Sequence, residues 1–337
     1  MAGTRSRPLV LFRVAAGPRM GFGHLTRALT LARALRVVPW ISVRGGPAAR
    51  AAVSRLGGSL AGGDRPGEVL DGVGAALLVV DDRVASRTAP WRRAARRRGV
   101  PITSIHDLGL GLADADLVID GSVCPGPSAA CRCETRLGPD YAILRPEFER
   151  GRTRPRPRAG RPSVLIALGG NPRRTAALAL ARRLARLPGA PVVRIAQGFV
   201  GGPRPMLPQG IRPVPPARFD DVLRRATVAL VGGGLTLYEA ACLGVPCVAV
   251  DVHPSQRPTV SAFARRGAVL DGGSLARRPS AGSLRATEAC VERLLADERL
   301  RVEIGRAARG IVDGHGADRV ARVLREQFPA AMGKRAV

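Results

Sequence analysis

The chain has 337 residues, 45% of them apolar, and its mean hydropathy is +0.03. These values predict a globular protein of two ordinary domains and exclude a membrane span, because no stretch approaches about 20 uncharged apolar residues. The formal charge is +28, and Lys334 is the only lysine, so the positive charge is almost entirely arginine. Such a bias is typical of a GC-rich genome. With only 3% aromatic residues, stacking platforms are scarce and nucleic-acid binding is disfavoured.

Targeting and cofactor signals are weak. The apolar run Pro8–Phe12 is too short for a signal-peptide core, so a cytoplasmic location is expected. A surface this basic also attracts anionic lipid headgroups, which adds the inner face of the cell membrane as a peripheral location. Cys124, Cys131 and Cys133 lack a fourth ligand at zinc spacing, so neither a metal nor another cofactor is predicted. No oligomeric state is indicated.

Residues 1–149 alternate between apolar strand-like runs and helical runs. This alternation predicts a first doubly wound, Rossmann-like domain. The predicted strands are Pro8–Ala15, Trp40–Arg44, Ala75–Asp81, Pro101–Ile105 and Leu117–Asp120, and the predicted helices begin near Gly23, Ala48 and Ala89.

A glycine-broken loop, GPRMGFG, precedes the first predicted helix. Gly21 and Gly23 would let a sugar approach the backbone, and His24 and Arg27 fall on the first helical turn. Histidine is the natural general base near neutral pH, and the positive end of a helix favours its neutral form. Arg27 could neutralise a phosphate or carboxylate of the substrate. The alternatives are a cap or phosphate contact for His24 and a solvated role for Arg27.

Asp81 and Asp82 follow a buried predicted strand, at the carboxyl edge where α/β sheets place their sites. We expect them to orient His24 or to bind sugar hydroxyls. Carboxylates at strand ends are also common helix caps, which is the alternative here.

Residues 150–162 alternate arginine and proline, which predicts an exposed, semi-rigid linker, with contact to anionic lipid as the alternative. A second Rossmann-like domain, 163–316, and a closing C-terminal helix and tail, 317–337, are predicted to follow. The predicted strands of the second domain are Ser163–Leu168, Val192–Ala196, a weak one near Ile211, Val228–Val231, Cys247–Val250 and Ala268–Leu270. Its predicted helices are Arg173–Leu187, Asp220–Arg225, Leu235–Leu243, Pro254–Arg266, Ala281–Ala296 and Arg299–Ile311, and the closing helix is Ala317–Gln327.

Within the second domain, Val228–Val250 reads VALVGGGLTLYEAACLGVPCVAV and predicts a strand–loop–helix–strand unit. A helix start fronted by glycines is suited to a diphosphate, because the N–H groups and the helix dipole both favour negative charge. A carboxylate one turn further is predicted to accept ribose hydroxyls. A tight βα turn with a solvated glutamate is the alternative. The predicted nucleotide-binding residues are Gly232, Gly233, Gly234, Leu235, Thr236 and Glu239.

The pattern G-G-G-L-T-L-Y-E-A-A-x-L-G-V-P resembles the nucleotide-binding segment of the bacterial N-acetylglucosaminyltransferase that makes lipid II. It is closer still to the UDP-sugar hydrolases of pseudaminic-acid biosynthesis and their spore-coat polysaccharide relatives. Arg13–Arg27 is similar to the N-terminal signature of that hydrolase family, and Leu137–Phe148, LGPDYAILRPEF, is a second matching segment. Asp81-Asp82 and Ala167–Asn171 match more weakly.

This resemblance implies the α/β GT-B architecture, with two Rossmann-like domains facing a cleft. It implies hydrolysis of a UDP-sugar at the anomeric carbon, in surface-polysaccharide or nonulosonic-acid biosynthesis, with His24 as the catalytic base. It also implies that Gln256 contacts sugar hydroxyls, and it makes Tyr141 and Asn171 candidates for the cleft. His253 faces the cleft or caps the next helix.

Three departures from the family bear on the chemistry. Ala15 stands where an acidic residue is usual, Arg83 replaces a frequent tyrosine, and Asn171-Pro172 replaces Ser-Asp-Pro. A GT-B glycosyltransferase acting on a lipid or polysaccharide acceptor is therefore the alternative to a hydrolase. A non-enzymatic polyanion binder, supported by charge alone, is the third hypothesis.

Overall fold

The computed structural model describes residues 9–17, 20–108, 115–125, 133–156, 160–169, 174–197, 207–277 and 279–333. The chain divides into two compact units. The first contains the residues up to Arg145 together with those from His315 onward, and the second runs from Pro146 to Gly314. Each unit is built on its own parallel sheet.

The described residues of the first unit form a seven-stranded parallel sheet in the order β3-β2-β1-β4-β5-β6-β7. Chain order reverses between β1 and β4, the kind of switch point at which α/β sheets bind ligands. The strands are β1 (Val10–Ala15), β2 (Pro39–Arg44), β3 (Ser59–Leu60), β4 (Leu77–Asp81), β5 (Ile102–His106), β6 (Leu117–Asp120) and β7 (Glu134–Leu137). The helices are α1 (Gly23–Leu35), α2 (Pro47–Arg55), α3 (Pro66–Val73) and α4 (Ala85–Arg96), with the C-terminal Gly316–Gln327 packed on α1.

The second unit repeats this plan. Its described residues form a six-stranded parallel sheet in the order β10-β9-β8-β11-β12-β13, with a reversal between β8 and β11. The strands are β8 (Ser163–Ala167), β9 (Val192–Ala196), β10 (Ile211–Val214), β11 (Val228–Gly232), β12 (Cys247–Asp251) and β13 (Leu270–Ser274). The helices are α5 (Pro146–Arg152), α6 (Arg174–Leu184), α7 (Phe219–Arg225), α8 (Leu235–Leu243), α9 (Arg257–Arg265), α10 (Ala281–Ala296) and α11 (Glu298–Ile311), and the C-terminal helix of the first unit is α12.

Burial explains the central strands. All five residues of β4, β8, β11 and β12 are buried, as expected for parallel strands covered by helices on both faces. In the first unit Leu11, Leu78 and Val118 share a core with Trp91 of α4. The two predicted Rossmann-like sheets are therefore present. None of the helices that the structure describes has the length and apolar composition that a membrane span needs.

Some elements were not predicted. The sequence indicated neither β3, α3 nor β7, and β13 lies at Leu270–Ser274 where Ala268–Leu270 was predicted. The segments β3 and β7 are short and contain few apolar residues, so periodicity does not mark them. In contrast, α3 buries Val69, Leu70 and Val73 at a spacing that suits a helix. Sheet hydrogen bonding to β2, β6 and β12 creates these strands instead.

The prediction that residues 150–162 are an exposed linker is wrong at two arginines. Arg152 belongs to α5 and donates from Nη1 to the carbonyls of Cys242 and Val312, at 3.2 and 3.0 Å. Arg156 donates from Nε to Arg224 and from Nη1 to Gly244, at 3.3 and 3.1 Å, and from Nη2 to the carbonyl of Ala226. Both side chains thus cap carbonyls where helices of the second unit end, a role that composition does not reveal.

Arg156→Ala removes the donors from three carbonyls at once. We expect the free energy of unfolding to fall by about 2–3 kcal/mol, because a buried acceptor left without a partner loses its solvation as well as its bond. Arg154→Ala, at an exposed neighbouring position, should change it by less than about 0.5 kcal/mol. Urea unfolding of both variants measures the difference, and equal values would refute the capping role.

Candidate active-site residues

The first turn of α1 and the end of β4 bring His24 and Asp81 together. His24 Nδ1 lies 2.7 Å from Asp81 Oδ1, and both side chains are buried. Arg27 Nη2 also lies 2.9 Å from this Nδ1. An unprotonated Nδ1 would nevertheless place its lone pair against the carboxylate 2.7 Å away, so we assign the hydrogen to Nδ1, which donates it to Asp81. That tautomer leaves Nε2 as the acceptor, so the imidazole is prepared to take a proton there.

Arg27, one turn along α1, binds the same carboxylate in a bidentate manner. Its Nε donates to Asp81 Oδ2 at 2.7 Å, and its Nη2 donates to Asp81 Oδ1 at 2.6 Å. Its Nη1 lies 2.8 Å from Oδ2 of Asp107, which follows β5. Arg27 is only 2% exposed, so the predicted alternative of a solvated arginine is wrong. We call His24, Arg27, Asp81 and Asp107 the His24 cluster.

The charges within the His24 cluster favour the ionised forms of Asp81 and Arg27. Burial alone would raise the pKa of Asp81, but Arg27 and His24 hold it well below its usual range. Burial opposes the charge on Arg27, yet Asp107 and Asp81 keep the pKa of the guanidinium above its usual value. With neutral His24, Arg27 contributes +1 and the two carboxylates −2. The cluster thus places a net charge of −1 beside the His24 ring, which stabilises positive charge that develops on an imidazole acting as a base.

Asp82 points to different partners than Asp81. It accepts from Nε and Nη2 of Arg44 at 2.6 and 2.7 Å, and from the backbone N–H of Val84 at 3.1 Å. Burial alone would raise the pKa of Asp82, but the hydrogen bonds from Arg44 and Val84 lower it by a larger amount. Asp82 thus connects β2 to the start of α4. Its side chain binds Arg44 and Val84, whereas Asp81 binds His24.

Two residues of the site were not predicted. Asp107 carries no local sequence signal, because its role follows from β5 lying next to β4 in the sheet. His106 ends β5, where burial lowers the pKa of its ring while Asp120 and Asp81 act against that shift. Its Nε2 lies 3.0 Å from the hydroxyl of Ser104. A histidine ending a parallel strand was the available signal.

The glycines before α1 leave room for a ligand. Gly21 pairs with Gly17 through two backbone hydrogen bonds of 2.7 and 3.0 Å, and its φ of +82° requires glycine. Gly23 begins α1 with no such requirement, and a Cβ placed there would meet nothing within 4 Å. The open space beside His24 is compatible with the predicted approach of a sugar.

In the second unit, β11 runs directly into Gly232, Gly233 and Gly234, and α8 begins at Leu235. Gly234 is the N-cap and offers no side chain to the first turn of the helix. Leu235 and Thr236 are partly exposed, whereas the helix is buried from Leu237 onward. The start of α8 therefore presents backbone N–H groups, the arrangement that binds phosphate.

The structure gives the three glycines a packing reason as well. A Cβ on Gly233 would lie 2.7 Å from Val260 Cγ2 and 3.0 Å from the carbonyl of Gln256. A Cβ on Gly234 would lie 3.3 Å from Nε2 of Gln256. Gly233 thus serves contact with α9, and the partly exposed Gly234 remains for the predicted close approach of a diphosphate.

Gln256 lies beside this loop. Its Oε1 accepts from the N–H of Val252 at 3.0 Å, which orients the side-chain amide next to Gly234. His253 is exposed, and its Nδ1 accepts from the N–H of Ser255 at 3.2 Å. The structure thus favours the capping alternative for His253. Glu239, five residues into α8 counting Leu235, is only 6% exposed and is not the solvated residue of the alternative reading.

Tyr141 and Asn171 are the remaining predicted cleft residues. Tyr141 ends a short 3-10 turn after β7, and its carbonyl lies beside Gly121 at the end of β6. No hydrogen bond joins Tyr141 to His24 in the part of the chain that the structure describes, and its role in the cleft stays a prediction. Asn171 lies outside the described residues.

The chain is similar in fold to several solved structures. Acinetobacter baumannii MurG has a TM-score of 0.64 at 16% identity, over 95% of this chain and 100% of its own. The spinosyn rhamnosyltransferase SpnG complexed with thymidine diphosphate has a TM-score of 0.63 at 16% identity, over 94% and 99%. The fold is that of GT-B glycosyltransferases. A Staphylococcus aureus MnaA–UDP structure is also similar, with a TM-score of 0.64 at 11% identity, over 96% and 97%.

Sequence comparison adds one relative. The chain is 28% identical over 206 residues to the spore coat polysaccharide biosynthesis protein SpsG of Bacillus subtilis. This match covers 57% of the chain and 58% of SpsG, so it spans little more than half of the relative. No protein-family model matches. The predicted GT-B fold and the resemblance to spore-coat polysaccharide proteins are confirmed, whereas neither comparison bears on hydrolysis.

Asp81→Asn keeps the shape of the side chain but removes its charge. Because the pKa of folded Asp81 is lowered, the carboxylate stabilises the protein above about pH 4, the unfolded value, and this contribution is lost as the pH falls below it. We expect the variant to be about 3–5 kcal/mol less stable at neutral pH, and to lose less further stability on acidification.

Urea unfolding at pH values between roughly 7 and 3 measures both effects. Asp140→Asn, at an exposed position of the same unit, serves as the control and should leave the pH dependence unchanged. If the free energy of unfolding fell as steeply with decreasing pH in Asp81→Asn as in the native protein, Asp81 would not be the ion-paired carboxylate proposed here.

Proposed function

We propose that this chain is a nucleotide-sugar glycosyltransferase of GT-B fold that acts in polysaccharide biosynthesis. The observation that carries the proposal is the buried His24–Asp81 pair, whose tautomer leaves Nε2 as a base at the open end of a parallel sheet. The glycine-led start of α8 supports a diphosphate-bearing donor. The proposed substrate class, a nucleotide sugar, is supported by the similarity to SpsG and to two structures that contain a nucleoside diphosphate, SpnG and MnaA.

In the proposed reaction an acceptor hydroxyl attacks the anomeric carbon of the sugar. The new C–O bond forms as the bond to the diphosphate oxygen breaks, and the electron pair leaves with the diphosphate. The hydroxyl proton passes to Nε2 of His24, while Asp81 stabilises the imidazolium through Nδ1. The start of α8 offsets the charge on the leaving diphosphate.

Hydrolysis is the second candidate, because the same base can take a proton from water. The His24 cluster and the resemblance to UDP-sugar hydrolases support it, whereas the glycosyltransferases of similar fold support transfer. The nucleotide is proposed to be uridine diphosphate from the sequence resemblance, and thymidine diphosphate is the competitor because SpnG was solved with it. The proposal also places the protein in the cytoplasm, with contact to the inner membrane face for a lipid-linked acceptor.

One assay separates these readings. Nucleoside diphosphate release is measured over a panel of UDP- and dTDP-sugars, with and without lipid-linked and polysaccharide acceptors. Release that requires an acceptor supports transfer, and release in buffer alone supports hydrolysis. An absence of release from every donor, with no nucleotide binding, would end the proposal.

His24→Gln should lower turnover by at least about 100-fold, since a general base contributes about that much or more. Nucleotide affinity should stay the same, because the proposed diphosphate site is in the second unit. Arg33→Gln, an exposed change on the same helix, is the control and should retain full turnover. Normal turnover in His24→Gln would show that another group acts as the base.

Glu239→Ala should weaken nucleoside diphosphate binding by about 1–3 kcal/mol, the usual contribution of a hydrogen bond to a charged group. The proposed reason is the loss of the acceptor for the ribose hydroxyls. Calorimetry measures the affinity, and a thermal melt confirms that the variant is folded. Glu292→Ala, exposed on α10, is the control. Equal affinities in the two variants would remove Glu239 from the ribose site.

A further inference from the structure

The first unit contains a cavity that the proposed chemistry does not use. It has a volume of about 380 Å³, within the range of about 300–1,000 Å³ of small-molecule pockets. We call it the Arg13 pocket. Its walls come from β1, β2, the end of β3 and the loop after it, and from α2, α3 and α4. The lining residues that matter here are Arg13, Ser42, Arg50, Asp64, Arg87 and Trp91.

Arg13 is held in one orientation at the base of this pocket. It is the register partner of Ser42 in the β1–β2 pair, and its Nη1 donates to the Ser42 hydroxyl at 3.0 Å. Its guanidinium carbon lies 4.8 Å from the centre of the Trp91 ring. A guanidinium fixed by a hydroxyl and an aromatic face is preorganised to bind a planar or tetrahedral anion.

The donor capacity of Arg13 is not used up. Its Nε is buried and has no hydrogen-bond partner among the residues that the structure describes. Burial lowers the pKa of Arg13, and Asp82 acts in the opposite direction. Asp82, however, already accepts from Arg44 through both oxygens. A buried N–H donor of this kind normally has an acceptor.

The remaining charges also favour an anion. Arg50 and Arg87 line the pocket at exposed positions, and Asp64 is the acidic residue among those lining it. Arg13, Arg50 and Arg87 against Asp64 leave an excess of +2. Leu60, Ala61, Pro66 and Pro90 supply an apolar wall beside these charges. The combination suits a small organic molecule with one anionic group and an apolar or ring face.

We propose that the Arg13 pocket binds a small organic oxyanion, a carboxylate- or phosphate-bearing molecule of about monosaccharide size, at the Arg13 guanidinium. The anion sits between the Arg13 guanidinium and the exposed Arg50 and Arg87, which also line the pocket. This site is separate from the His24 cluster, whose ion pairs involve none of the pocket's residues. The inference does not depend on the proposed transferase activity.

Calorimetric titration of the full chain tests this inference. Glucuronate carries the carboxylate, glucose 1-phosphate carries the phosphate, and glucose is the neutral control. We expect saturable binding of at least one anion and none of glucose, and the tighter anion identifies the group. Arg13→Gln should weaken that binding by about 10- to 100-fold, as expected for losing a charged hydrogen-bond donor.

Arg93→Gln is the matched control, because it removes the same charge from an exposed position of α4 that does not line the pocket. It should leave anion affinity unchanged. Equal weakening in Arg93→Gln and Arg13→Gln would indicate a general charge effect and overturn the site, as would the absence of saturable binding to either anion. Unchanged affinity in Arg13→Gln would overturn it too.

Arg13 is partly buried, so a thermal melt must show that Arg13→Gln folds. If it does not fold, Arg87→Gln replaces it, and affinity reduced in Arg87→Gln but not in Arg93→Gln is then the supporting result. Equal affinities in those two variants would overturn the proposal. Titration of UDP into the same variants is a separate readout. Its failure would count against the nucleotide-sugar proposal alone.

Discussion

The ion pair between Arg27 and Asp81 is the interaction on which the first unit's site depends. A guanidinium that is 2% exposed must have its charge and donors matched inside the protein. Asp81 supplies two acceptors and Asp107 a third. These bonds join α1 to the ends of β4 and β5, and they leave Asp81 Oδ1 in place to receive the N–H of His24. The position and the tautomer of the imidazole thus follow from where the arginine is neutralised.

Arginine elsewhere in the chain also acts as an internal donor, which changes the meaning of the +28 charge. Arg152 and Arg156 bind backbone carbonyls, Arg44 binds Asp82, and Arg301 binds the carbonyls of Leu294 and Leu295. A guanidinium has five N–H donors, so one side chain can satisfy several carbonyls. These arginines contribute to net charge and to long-range steering of anions, but their hydrogen bonds are committed to the fold and not to a polyanion.

The fold could be predicted from the sequence because its signals are local. A buried strand ending in Asp81, or a strand running into Gly232–Gly234, is marked by adjacent residues. The pairing of Arg27 with Asp107 could not be predicted, since it arises only when β5 takes its place beside β4. Gly233 shows the same limit in another way. Its sequence context indicated ligand access, whereas its nearest neighbours are Val260 and Gln256. Tertiary contact, invisible to local pattern, decided both.

The His24–Asp81 pair suits transfer and hydrolysis alike, because water and a sugar hydroxyl both give up a proton to the same nitrogen. The departures from the hydrolase family therefore carry weight. Ala15 lies beside Arg44 in the β1–β2 register, so an acidic residue there would compete with Asp82 for that arginine. Burial alone would raise the pKa of Asp107, and the charges of Arg27 and His24 lower it. Arg83 adds a smaller lowering effect of the same kind. Both changes make this edge of the first unit's sheet more cationic, which is consistent with the proposed transfer to an acceptor that carries negative charge.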